Sequence, residues 1–248
     1  PLEPREDYEA YLSRVNRSVF SPYTQRLIRA ATGLILRKPI TVIGDPYWTD
    51  VFVKDVDGCG SDLDEYARRN LICALTYGHS HTLVDFPAPT GAISLAEERN
   101  QNRRPYWIEI DPANVYGWRL DREVNYGKLI QVRIAEQAVV PDGEFGEKVY
   151  DQIRVIEPGK YRVYRKKEST KDMYTENEEF AGNFDSPANA TDYEIVGSGE
   201  FSLGEIPLVT VYAGKTDTMT SKPPLLDIAY LNLAHFQRQA DLIHSLHV

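Results

Sequence analysis

Apolar residues recur at helical spacing in four stretches of this chain and alternate with polar residues in a series of shorter ones. Residues 5–15 (REDYEAYLSRV) predict a short amphipathic helix with acids in its first turn, where the helix dipole favours them. Ser21-Pro22 predicts a second helix, with Ser as N-cap and Pro at the first helical position. Its buried face would be Tyr23, Leu27, Ala31 and Leu34, and Pro39 would end it. Residues 40–58 read as a connector with an apolar patch from Trp48 to Val53. Ser61 and Asp64 match the S-x-x-[DE] capping box and start a third helix, with Leu63, Tyr66, Ala67, Leu71, Ala74 and Leu75 on its stripe and Gly78 as its stop.

"HTLVDF" then reads as a strand closed by Pro87 and Pro89, and the polar residues 90–104 as a loop or short helix. Strand texture follows at Tyr106–Ile110, Val115–Arg119, Leu129–Glu136, Val149–Glu157, Tyr161–Arg165, Tyr193–Gly197 and Leu208–Tyr212. Several of these alternate as half-buried antiparallel strands do. The polar stretch between Lys167 and Asp192, with scattered Gly, Pro and Asn, reads as a mobile hairpin tip or loop. Helices at both ends of a β-rich middle make the expected fold class α+β, with a largely antiparallel or mixed β region.

The last element opens at Pro223-Pro224 and is the most regular. Leu226, Ala229, Leu233, Phe236, Ala240, Ile243 and His247 step by alternating threes and fours, a heptad spacing suited to packing along a neighbouring helix. Leu231, Leu242 and Leu246 widen the stripe, and Asn232, Gln239 and Asp241 are expected to lie largely off it. At 1.5 Å per residue, a helix of about 24 residues spans roughly 36 Å. It is too polar to cross a membrane, and no apolar run reaches the ~18 residues a span needs.

Composition narrows the function classes. A formal net charge of −9 over 248 residues argues against a protein that coats nucleic acid. The two cysteines, Cys59 and Cys73, suit reduced thiols and not a disulfide framework. The chain opens at Pro1 and reaches Val248 within a continuing helical pattern, so it is expected to be a piece of something longer.

Three stretches invite a metal. "DVDGCGSDLDEY" (55–66) matches a calcium loop at Asp55, Asp57 and Gly60, but Cys59 and Tyr66 stand where an oxygen ligand and a bidentate Glu belong. It therefore reads as a Gly-rich turn feeding a capped helix, with no ion. His79, His81 and Asp85 would share one face of their strand but lack a completing ligand at a familiar spacing. Asp241, His244 and His247 lie at i, i+3 and i+6, an incomplete shell on a packed helix. No G-x-S-x-G, activated-cysteine or phosphate-loop pattern occurs. The glycines of "GSGEFSLGEIP" open no helix that could cradle phosphate. The "RKP" and "YRKK" clusters are too short for a DNA-binding face. The residues themselves point to a non-enzymatic chain without a cofactor. Two alternatives stay open: a metal-dependent hydrolase built on His79, His81 and Asp85, and a protein-binding adaptor using the last helix.

Five segments in order resemble a group of tailed-bacteriophage portal proteins: "SPYTQRLIRAATGLILRKP", "VDGCGSDLDEYARRNLICALTYGHSHTLVDFP", "RPYWIEIDPANVYGWR", "GEIPLVTVYAG" and "PPLLDIAYLNLAHFQRQADLIHSLH". The resemblance covers most of the chain and is weakest over 137–200. It implies a structural subunit of the head–tail connector, a homo-oligomeric ring, usually of 12 copies, at a capsid vertex, through which double-stranded DNA is packaged and ejected. It further implies an α/β wing over residues 1–222 and, from 223 to 248, the start of a helix directed to the stem. The clip, the rest of the stem and any crown would lie outside this chain. Partners would be the major capsid protein and, mainly through those other parts, the terminase motor and the tail adaptor. The protein would be assembled in the bacterial cytoplasm and reside in the virion. An acidic conduit suits that role, because a ring that gripped phosphates would hold DNA instead of passing it.

Overall fold

In the computed structural model, the helix expected to open on Ser61 opens one residue later. The structure describes residues 2, 6–87, 94, 97, 101, 103–124, 127–167 and 193–246, with the backbone alone at His244. His247, the loop expected between Lys167 and Asp192, and most of the 90–104 stretch lie outside the described residues. Helix α3 spans Leu63–Tyr77, and its N-cap is Asp62, whose carboxylate accepts from the Glu65 N–H at 2.8 Å. The capping pair is therefore Asp62 with the Glu65 N–H, not Ser61 with Asp64. Aspartate caps as well as serine does, and both predicted residues are engaged elsewhere. The Ser61 hydroxyl accepts from Arg69 Nη1 at 2.8 Å, and Asp64 accepts from the Ile40 N–H at 2.8 Å. Gly78 ends α3 in the left-handed region (φ 90°), as expected.

Helix α1 spans Tyr8–Arg17 behind an Asp7 cap, and α2 spans Tyr23–Ile35. Pro22 occupies the N-cap position of α2 without a side-chain cap, so Ser21 does not play that part, and the helix ends before Pro39. The expected connector is partly coiled, as a π turn at Tyr47–Val51 and a 3-10 turn at Phe52–Lys54. Those turns bring Trp48 onto Phe52, and Phe52 and Tyr66 onto Trp107, as edge-on pairs with centroids 5.1–5.3 Å apart. Phe52, Tyr66 and Trp107 form an apolar core with Val56 and Leu63, and Trp48 lies at its exposed edge.

Strands β1 (His79–Asp85) and β2 (Tyr106–Ile110) join β8 (Leu208–Tyr212) in a sheet ordered β2-β1-β8. The segment β3 (Val115–Leu120), β4 (Leu129–Asp142), β5 (Gly146–Glu157), β6 (Lys160–Lys166) and β7 (Tyr193–Glu200) forms an antiparallel meander in chain order. A ribbon, β9 (Lys215–Asp217) with β10 (Thr220–Ser221), follows, and the last helix, α4, covers Leu226–Leu246. The fold is α+β. The contacts divide it into two units, one of Pro1–Glu109 with Val209–Val248 and one of Ile110–Leu208.

In the first unit α3 packs on β1 through a buried polar chain. Tyr66 Oη donates to Thr82 Oγ1 at 2.9 Å, Asn70 Nδ2 donates to the same atom at 3.2 Å, and Ser80 donates to Asn70 Oδ1 at 2.7 Å. The tyrosine hydroxyl is pushed up to about 12 by burial, with a smaller contribution from Glu109. Helix α2 packs on α3, and α4 packs on α1 and α2.

In the second unit Val132, Ile134, Ile156 and Val163 are buried on one face of the meander. Pro158-Gly159 makes the two-residue β5–β6 turn, where Gly159 supplies φ 78° at the second position, as a type II turn requires. Beyond Ile134 and Gln152, strands β4 and β5 pair, among the described residues, only with each other. Gln137–Asp142 and Gly146–Asp151 thus form a two-stranded finger, longer than the strands expected here. Val139 and Val149 face each other across it, both more than half exposed, and Phe145 at its tip is 95% exposed.

Candidate functional site

Helix α4 carries the stripe expected to pack subunits, and within the single copy most of that stripe is covered. Phe236 is half-buried with its ring edge-on to Phe20 at 5.5 Å, Ala240 is buried, and Leu226, Ala229 and Ile243 are half-buried. Leu233 is 48% exposed, although it sits in the middle of the predicted seam. Asn232, expected off the seam, is 6% exposed, and Gln239 is half-buried. Of the six stripe residues whose side chains are described, only Leu233 is exposed, so the stripe largely faces inward, with Asn232 and Gln239 covered along its edge. Leu231, Leu242 and Leu246 remain exposed with Leu233.

No residue of α1 is buried, and on α2 only Ile28 and Thr32 are. Tyr23, Leu27 and Leu34, expected to be a buried face, are 48%, 39% and 73% exposed, while Ala31 is half-buried. Periodicity identified the stripe but not what covers it. Ile28 and Thr32 lie on the other side of the helix, and nothing in the hydropathy pattern marks theirs as the side facing the rest of the chain.

His79 and His81 do come together, with ring centroids 4.8 Å apart. His81 is fully buried, and its Nδ1 lies 2.9 Å from Thr210 Oγ1. That hydroxyl donates to Met219 Sδ at 3.3 Å, so the imidazole Nδ1–H is the donor to it and Nε2 is bare. His79 Nδ1 pairs with the Ser221 hydroxyl, which itself donates to the Tyr77 carbonyl. Burial, and secondarily the neighbouring His79, pushes His81 down to about 4, and burial lowers His79 as well. Asp85 does not join them. It is four residues beyond His81 on the same strand, about 13 Å at strand rise. Among the described residues no group of three His, Cys, Asp or Glu is placed to hold a metal ion. Here the pair is built as a neutral, hydroxyl-bonded packing element between β1, β8 and β10.

The calcium-like loop has its carboxylates engaged by nitrogen donors. Asp55 Oδ1 accepts from the Gly60 N–H and Oδ2 from Arg104 Nη2, at 2.9 and 2.7 Å. Asp57 Oδ1 accepts from the Cys59 and Ser61 N–H groups and Oδ2 from Arg69 Nη2, at 2.9, 3.1 and 3.0 Å. Burial pulls the Asp57 carboxyl up, but the Ser61 hydroxyl, these two N–H groups and Arg69 outweigh it and hold the carboxyl well below the usual carboxylate range. Two guanidinium groups supply the positive charge that an ion would bring. Arg69 and Arg104 lie outside the loop motif, which is why the motif alone did not name them.

In the described residues, no helix is long and apolar enough to cross a membrane. Neither protein-family models nor curated proteins gave a match to this chain.

Proposed function

We propose that this chain is a structural subunit of a tailed-phage portal ring. The observation that carries the proposal is the unfilled apolar surface of α1, α2 and α4. Leucines at helical spacing on α2 and α4 stay exposed in the single copy, and monomeric proteins rarely leave such surfaces bare. A ring of identical copies would cover them through head-to-tail contacts that close on themselves. The five ordered segments of resemblance supply the name of the ring, and the acidic net charge suits a conduit that lets DNA slide. In this reading α1 to α3 and both sheets belong to the wing, and α4 leads toward the stem. Contacts with the major capsid protein, the terminase motor and the tail adaptor follow from the same reading, with ATP hydrolysis left to the motor. The test is native mass spectrometry and electron microscopy of the full-length protein. Closed rings with a central pore are expected. Persistent monomers under every condition would end the proposal.

A further inference from the structure

Two surfaces are left uncovered by the described residues and are opposite in character. One is the tip of the β4–β5 finger. Asp142, Glu144 and Glu147 surround Phe145, and the nearest cation, Lys148, is paired with Asp142 at 3.3 Å. Two-stranded hairpins are marginal alone in water, so a finger with an exposed valine pair on its flank calls for support from outside it. The other surface is α2 with the residues that follow it. From Tyr23 to Lys38 there is no acid, and Arg26, Arg29, Arg37 and Lys38 make no ion pair among the described residues. Ala30 and Gly33 are exposed beside Leu27 and Leu34, and a Cβ added at Gly33 would meet nothing within 4 Å. Small residues flanked by leucines and arginines make a shallow apolar seat with a basic rim, the complement of an aromatic tip with an acidic rim.

We propose that the β4–β5 finger of one copy docks on α2 of the next, with Phe145 seated over Ala30 and Gly33 and with Glu144 and Glu147 facing Arg26 and Arg29. The partner is a second copy of this chain because the chain itself carries both halves of the charge match. Because the two halves are different surfaces, the contact is heterologous, the kind that builds rings. The docking rests on the ring reading and names one of its contacts.

The experiment uses the full-length protein in a Cys59→Ser background, which removes the exposed native thiol. Phe145→Cys and Leu34→Cys are made singly and together, oxidised mildly, and run on non-reducing gels beside native mass spectrometry. A second arm reverses the charges with Glu144→Lys/Glu147→Lys, with Arg26→Glu/Arg29→Glu, and with both pairs combined. The proposal expects a ladder of covalent oligomers from the double-cysteine protein alone. It also expects about tenfold weaker self-association from either reversal, recovered in the combination, as for directly coupled charges. Rings that form without the ladder and ignore the reversals overturn the docking and leave the ring reading standing. A disulfide formed within single chains overturns it as well. Monomers in the unmodified protein overturn the ring reading and the docking together.

Discussion

Asp57 offers a direct test of how the calcium-like loop is held. Asp57→Asn keeps an oxygen for the Cys59 and Ser61 N–H groups but turns an amide donor toward Arg69 Nη2, now 3.0 Å from a carboxylate oxygen. A charge-assisted hydrogen bond contributes about 1.5–3 kcal/mol. The Arg69 side chain is 40% exposed, so water replaces part of what is lost. The expected cost is about 1–2 kcal/mol. Asp57→Ala also releases the two N–H groups, and the expected cost rises to about 2–4 kcal/mol. The folded carboxyl titrates below its ordinary 3.8, so its contribution is complete above that pH and fades as pH falls from there toward the folded value. Urea unfolding of wild type, Asp57→Asn and Asp57→Ala, followed by tryptophan fluorescence at pH 7 and pH 3, measures both effects. The order wild type, Asn, Ala and a gap that narrows at pH 3 are expected. A gap below about 0.3 kcal/mol for Asn, or one that widens in acid, would refute the reasoning. Millimolar calcium should leave the wild-type melting temperature unchanged, because binding confined to the folded state would raise it.

His81 stays neutral in the fold down to about pH 4, whereas the unfolded chain protonates it near 6.5. Stability from this residue is therefore whole above pH 6.5 and lost on descent to about pH 4, up to about 3 kcal/mol. His81→Asn should flatten the urea midpoint across that window, and an unchanged slope would contradict the burial argument. Gly78→Ala should cost about 3 kcal/mol or more, because the residue sits at φ 90° and an added Cβ would lie 2.8 and 2.9 Å from the Lys222 and Pro223 backbone. Gly44→Ala, with nothing within 4 Å and no positive φ, is the neutral control in the same melts.

What could be read from the sequence was what local chemistry decides. Gly78 stops α3, and strand texture marks β2 and β8, because each depends on residues within a few positions. The cap slid from Ser61 to Asp62 because both residues cap well, and long-range partners took the rejected pair: Arg69 from α3, and the Ile40 backbone from 24 residues upstream. That the polar His81 is fully buried could not be read locally, since its partner Thr210 is 129 positions away. The arginines that complete the acidic loop were invisible for the same reason. Arg104 is 49 residues from Asp55, and no spacing rule connects them.

Helix α4 carries this argument furthest, because its packing departs from its pattern at Asn232, Leu233 and Gln239. Burying an amide oxygen without a partner costs about 1–3 kcal/mol, and among the described residues neither Asn232 Oδ1 nor Gln239 Oε1 has one. On the same helix Leu231, Leu233 and Leu242 are left in water at 69%, 48% and 58% exposure. A helix serving only this copy would gain by carrying leucines in place of Asn232 and Gln239 on its covered side. The arrangement makes sense if the exposed leucines are reserved for a neighbour, so that Asn232 and Gln239 share the inward side with Phe236, Ala240 and Ile243. Asn232→Leu should then stabilise the single chain by about 1–2 kcal/mol in urea unfolding, by removing the orphaned oxygen at similar volume. Leu231→Asn should change that stability by less than about 0.5 kcal/mol and weaken self-association instead. If Asn232→Leu destabilises the chain, the amide is bonded where it sits and the inward face is the one α4 is built for. If Leu231→Asn leaves self-association untouched, that leucine has no neighbour to meet.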